Sequence, residues 1–124
     1  MAAPNVVNVS TITGKTDTVA LSTTSATTLV SNPASSGKVF KINVIQAANV
    51  DGTTACDLTI HLHSAASGGG TTTALASTIS IPADASLIVL DKSTAIYLEE
   101  DRSITATAAT ANDIEIIVSY EEIS

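Results

Sequence analysis

The chain has 124 residues, with five basic side chains against twelve acidic ones and a net charge of −7. That length makes one domain, and that acidity leaves no basic face to neutralise phosphates, which argues against nucleic acid and against an anionic membrane surface as partners. Leu, Ile, Val and Phe supply 32 of the 124 residues, about 26% and above the roughly 20% below which chains tend to stay disordered, so a folded domain is expected. With one Phe, two Tyr and no Trp, its core must be almost wholly aliphatic. Aromatic side chains each bury a large area, so we expect subunit contacts to supply part of the stability.

The opening MAAPNVVNV has neither a basic n-region nor a continuous apolar stretch, so no signal peptide is read. No apolar run approaches 18 residues, the length that suggests a membrane-spanning helix. Thr occurs 19 times. With Val and Ile it favours the pleated, half-buried surface of a sheet. Val6 to Thr13 alternates and is expected to be the first strand. Thr18 to Ser22 and Thr27 to Val30 are short strand candidates, and residues 31–37 (SNPASSG) form a turn-rich loop. Lys38 to Ala47 is a strong strand with Phe40, Ile42 and Val44 on one face. Asp51-Gly52 is a hairpin turn signal leading into a strand from Ala55 to Ser64. Ala65 to Gly70, ending in three glycines, is expected to be a flexible loop tip.

Leu75 to Ile81 alternates, and Pro82-Ala83-Asp84 turns the chain. Ser86 to Leu90 (SLIVL) is apolar on both faces, which predicts a strand covered on both sides. Ala95 to Leu98 is short. Ser103 to Ala108 alternates, Ala111-Asn112-Asp113 turns, and Ile114 to Tyr120 closes the fold with Ile114, Ile116, Val118 and Tyr120 on one face. About eight to ten short strands separated by turn signals give an all-β, single-domain antiparallel β-sandwich, jelly-roll-like or immunoglobulin-like. Residues 1–124 form that one domain, with 1–13 an N-terminal arm or an edge strand.

The side chains with chemistry are few. His61 and His63, the only histidines, are two apart on a strand and so share a face, opposite Leu58, Ile60 and Leu62. One chain offers only this pair convincingly, and a stable metal site needs a third or fourth ligand. A plain strand face is the expectation for a single chain. Gly14-Lys15-Thr16 resembles the end of a phosphate loop, but the glycine five positions earlier is Val9. No Gly-x-Ser-x-Gly elbow is present. Glu99-Glu100-Asp101 offers oxygens that suit hard cations, though a solvated turn is the simpler reading. Cys56 is alone and expected to point inward. No catalytic, cofactor-binding or metal-binding residues are therefore assigned, no cofactor is expected, and an enzyme is not.

The segments VVNVSTITGKT, SSGKVFKINVIQAANVDGTTACDLTIHLH, ISIPADASLIVLDKSTAIYLEEDRSITATA and IEIIVSYEEI together resemble small virion structural proteins of marine tailed phages of the cyanophage type. Residues 97–104 also resemble the Leu-x-x-Gly-Asp-x-[Ile/Leu/Val] turn of trimeric jelly-roll domains, with Glu100 where glycine is usual. The His-x-His spacing is similar to the stripe that some trimeric phage fibre proteins use to hold an iron on the threefold axis. The resemblance implies a β-sandwich that assembles on a virion, and the leading expectation is a homotrimeric capsid decoration or cement protein on the head exterior, made in the host cytoplasm and located on the virion. Its partners would be the major capsid protein or other virion proteins. A tail, baseplate or fibre component is the alternative. A ligand- or carbohydrate-binding β-sandwich is the alternative of another class, disfavoured because Tyr97 and Tyr120 are the only tyrosines.

Overall fold

The computed structural model describes residues 6–124. Nine strands follow in chain order: β1 (Ile12–Ala20), β2 (Thr27–Asn32), β3 (Val39–Asn49), β4 (Cys56–His63), β5 (Thr72–Ile81), β6 (Ser86–Leu90), β7 (Ile96–Leu98), β8 (Arg102–Ala108) and β9 (Ile114–Ile123). They form two sheets. The first runs β1-β9-β3-β6, with β7 pairing the other half of the same edge of β3, and the second runs β2-β8-β4-β5. Every ladder is antiparallel. The chain crosses between sheets at almost every connection. That is the strand order of a jelly roll, two interleaved Greek keys, rather than that of an immunoglobulin sandwich.

The core lies between the sheets. β9 delivers Ile114, Ile116, Val118 and Tyr120 to it, and β4 delivers Cys56, Leu58 and Ile60. Both match the two-residue period of a strand. In β3 the period slips. Phe40 and Ile42 are buried, the register shifts between Ile42 and Val44, and the buried face resumes at Ile45 and Ala47. One extra residue bulges the strand, so Val44 falls on the outer face instead of the core. The only two aromatic rings in the core, Phe40 and Tyr120, pack together with centroids 5.3 Å apart.

Five further expectations are corrected. Of residues 1–13, 1–5 lie outside the described residues, 6–11 form no strand, and the first strand begins at Ile12 and runs through Gly14-Lys15-Thr16. Thr18 to Ala20 belong to that same strand. Asp51-Gly52 does not close a hairpin, because β3 and β4 lie in different sheets. Ser86 to Leu90 is a strand, but an edge strand with one open face. Ile88 is 61% exposed, since among the described residues no second layer lies over that sheet. In the turn from β7 to β8 the left-handed residue is Asp101, at φ 57. It lies three positions after Leu98, so Asp101 and not Glu100 takes the conformation glycine would favour. A short polar side chain tolerates it.

Each crossing leaves backbone carbonyls at a corner of the sandwich, and two buried amides meet them. Asn32 donates from Nδ2 to the carbonyls of Lys38 and Leu98 and accepts the Ser36 hydroxyl. Asn49 donates to the carbonyls of Thr54 and Ile81 and accepts the Asp51 amide. An orphaned buried polar group costs about 1–3 kcal/mol. Asn49→Ala strands two carbonyls at once, and urea unfolding should show a loss of about 2–3 kcal/mol at an unchanged m-value.

Candidate functional site

His61 and His63 do share the outer face of β4, with ring centroids 6.3 Å apart. They are not equivalent. His61 is half-buried, whereas His63 is buried beneath the segment 64–71 that joins β4 to β5. A carbonyl can only accept, so the 3.2 Å contact from Nδ1 to the Gly69 carbonyl requires a proton on Nδ1. In the neutral ring Nε2 then accepts the Thr105 hydroxyl, 2.7 Å away. Both ring nitrogens are thus engaged inside the subunit. The pair cannot present two free imidazoles to a threefold axis without breaking that packing.

The covering segment is the expected loop tip, but it is pinned to the second sheet. The amides of Ala66, Ser67 and Gly68 donate to Asp101 Oδ1, Ser31 Oγ and Ser103 Oγ, and Ser103 donates to the Ala65 carbonyl. Gly70, at φ +71, has Ser64 Oγ where a Cβ would sit, so this fold of the loop needs glycine there. Ser103 and Thr105, on the outer face of β8, are buried as a result. The histidine is a keystone of this cover. His63→Phe keeps the volume but leaves the Gly69 carbonyl and the Thr105 hydroxyl unmatched. We expect a loss of about 2 kcal/mol or more in chemical denaturation, together with faster hydrogen exchange at Ser67 and Gly68.

The other candidates separate in the same way. Asp101 is tied to the covering loop, Glu99 is exposed, and the Glu100 carboxylate oxygens are shielded with no hydrogen-bond partner among the described residues. Among the described residues no three His, Cys, Asp or Glu side chains converge on one point. Gly14-Lys15-Thr16 lies mid-strand, with Lys15 Nζ 3.0 Å from Glu122. Cys56 is buried and faces the core, as expected.

What remains open is the outer face of the first sheet. Register places Thr18, Ile117, Gln46 and Ile88 in one row across β1, β9, β3 and β6, and Ala20, Glu115, Ala48 and Ser86 in the next. Where the small Ala20 and Ala48 flank Glu115, a groove of about 360 Å³ opens, floored by strand backbone. Ile117 is 43% exposed. It interrupts the apolar-polar alternation of IEIIVSY, and that interruption, like the unbroken apolar run SLIVL that carries Ile88, is a sequence signal for an outward apolar spot. The chemistry on offer is contact, with one carboxylate, one amide and one hydroxyl set among aliphatic groups.

Along the inner side of β1 runs a charged strip. Glu122 receives Lys15 and Lys38, whose hydrogen bonds hold its carboxyl below the usual carboxylate range. The Tyr120 hydroxyl donates to Asp17 at 3.0 Å. Burial, then that hydrogen bond and the Asp17 charge, push the phenol up to about 12. The folded state therefore holds the Tyr120 proton after the unfolded chain, with its ordinary value near 10, has released it. This contribution to stability is complete below pH 10 and lost as the pH rises toward 12. Thermal melts should fall more steeply across that window for the wild type than for Tyr120→Phe. Compared with protein-family models and with curated proteins, the sequence matches none.

Proposed function

We propose that the chain is a non-enzymatic structural protein of a tailed-phage virion, acting as a capsid decoration protein on the head exterior. The observation that carries this reading is the open first sheet. Its outward face bears Ile88 and Ile117 among small side chains, and its edge strand β1 is exposed at every residue but Val19. A sheet left open on one face suits repeated, symmetric contact with a protein lattice, where many weak contacts add through multivalency. The acidic charge of −7 keeps such a protein off the packaged nucleic acid. The jelly-roll strand order and the sequence resemblance to small virion proteins support the same reading.

Quantitative mass spectrometry of gradient-purified particles, with antibody labelling of intact virions, tests it. The expected result is many copies per particle, label on the head, and heads that lose heat resistance when the protein is removed. Absence from purified particles overturns the virion role, and label confined to the tail overturns decoration.

A further inference from the structure

An exposed strand edge invites pairing, and folded proteins blunt such edges with bulges, short strands or charges. The edges of this sandwich are treated unequally. β2, β5 and β6 each carry a register shift against their neighbour, and β7 has three residues. β1 pairs β9 over nine residues with no shift at all. Among the described strands it is the one long, regular edge.

Its free groups can be assigned. Thr11 and Ser124 exchange amide-carbonyl bonds in both directions at one end of the ladder, and the Leu21 amide donates to the Ile114 carbonyl at the other. Hydrogen bonding alternates along an antiparallel pair. The odd residues of β1 therefore bond to β9, while Ile12, Gly14, Thr16, Thr18 and Ala20 direct their amides and carbonyls outward. The side chains of Lys15 and Asp17 lie on the inner side of the sheet, where they meet Glu122 and Tyr120.

We propose that β1 pairs antiparallel with β1 of a second copy of this chain, about a two-fold axis at Thr16. That register sets Thr16 against the partner's Thr16, Gly14 against the partner's Thr18, and Ile12 against the partner's Ala20. Every outward group on the strand then finds its complement. It also sets Lys15 directly opposite the partner's Asp17, and Asp17 opposite the partner's Lys15. Moving the centre by one residue puts Lys15 against Lys15 or Asp17 against Asp17, and like charges directly opposite are destabilising. Moving it by two shortens the ladder and leaves both charges without an opposite. The charges that would ordinarily blunt the edge thus admit one register and reject its neighbours. The contact is isologous and closes at two, unlike the threefold assembly implied by the sequence resemblance, and it holds whether or not the protein sits on a virion.

Native mass spectrometry and sedimentation of the full chain test the pairing, with three variants. Thr16→Pro removes an outward amide while leaving the β1–β9 ladder intact, so a circular dichroism melt should stay close to wild type while dimer affinity falls ~tenfold or more. Under mild oxidation Thr16→Cys should give a covalent dimer, because hydrogen-bonded partners lie about 5.5 Å apart between Cα atoms, within disulfide reach. Thr18→Cys should not, since the two copies of that position are offset by about 13 Å along the strands. A dimer with this variant pattern is the expected result. A monomer at ~100 μM, a trimer, a dimer indifferent to folded Thr16→Pro, or equal cross-linking of both cysteine variants would overturn the proposal.

Discussion

Crossing between two sheets at almost every turn is the constraint on which the rest of this molecule depends. A hairpin satisfies its own backbone, but a crossover strips the corner residues of ladder partners, and a buried group left unpaired is expensive. Asn32 and Asn49 answer this at two successive crossings, β2 to β3 and β3 to β4, each reaching as well to the carbonyl of a third strand. The aliphatic core between the sheets can be filled by many arrangements of Val, Leu and Ile, since such side chains are largely interchangeable in volume. Directional bonds at the corners are what select one strand order from those alternatives.

The strands were legible because their signal is local. The alternation of Ile114, Ile116 and Val118, the turn at Pro82-Ala83-Asp84 and the inward row of Cys56, Leu58 and Ile60 depend only on near neighbours. The misread features depend on partners far away in sequence. VNVST and ITGKTDTVA look equally strand-like, and only the second pairs with β9. Asp51-Gly52 carries hairpin chemistry, yet the buried Asn49 amide turns the chain into the other sheet. The bulge in β3 leaves no mark in VFKINVIQ, because Asn43 reads as an ordinary outward residue. SLIVL suggests burial on both faces, but whether a second layer covers a sheet is decided by the whole topology.

The site was less legible for a related reason. His61 and His63 were correctly placed on one face, but the fate of that face is set by a glycine-bearing segment folding back over Ser103 and Thr105, some forty positions away in the chain. Glycines predict conformational freedom. They do not predict that the freedom will be spent on a close-fitting cover. The open groove beside Glu115 needed two alanines from different strands, Ala20 and Ala48, to meet across β9. Neither residue is distinctive alone.

Closure links these features. The second sheet hides His63, Ser103 and Thr105 of its outer face beneath the segment 64–71, and its edges are interrupted by the shifts at Leu29 and within β5. Among the described residues nothing covers the face of the first sheet or the edge of β1. Protection is thus concentrated where contact would be indiscriminate, and exposure where the strand carries a lysine and an aspartate two residues apart. An edge that bonds to its own copy consumes itself, and the edges then left on the pair are the short or bulged ones, which are poor templates for further growth. A regular edge that would be an aggregation hazard with uniform side chains becomes, with alternating charge, a contact that stops at two.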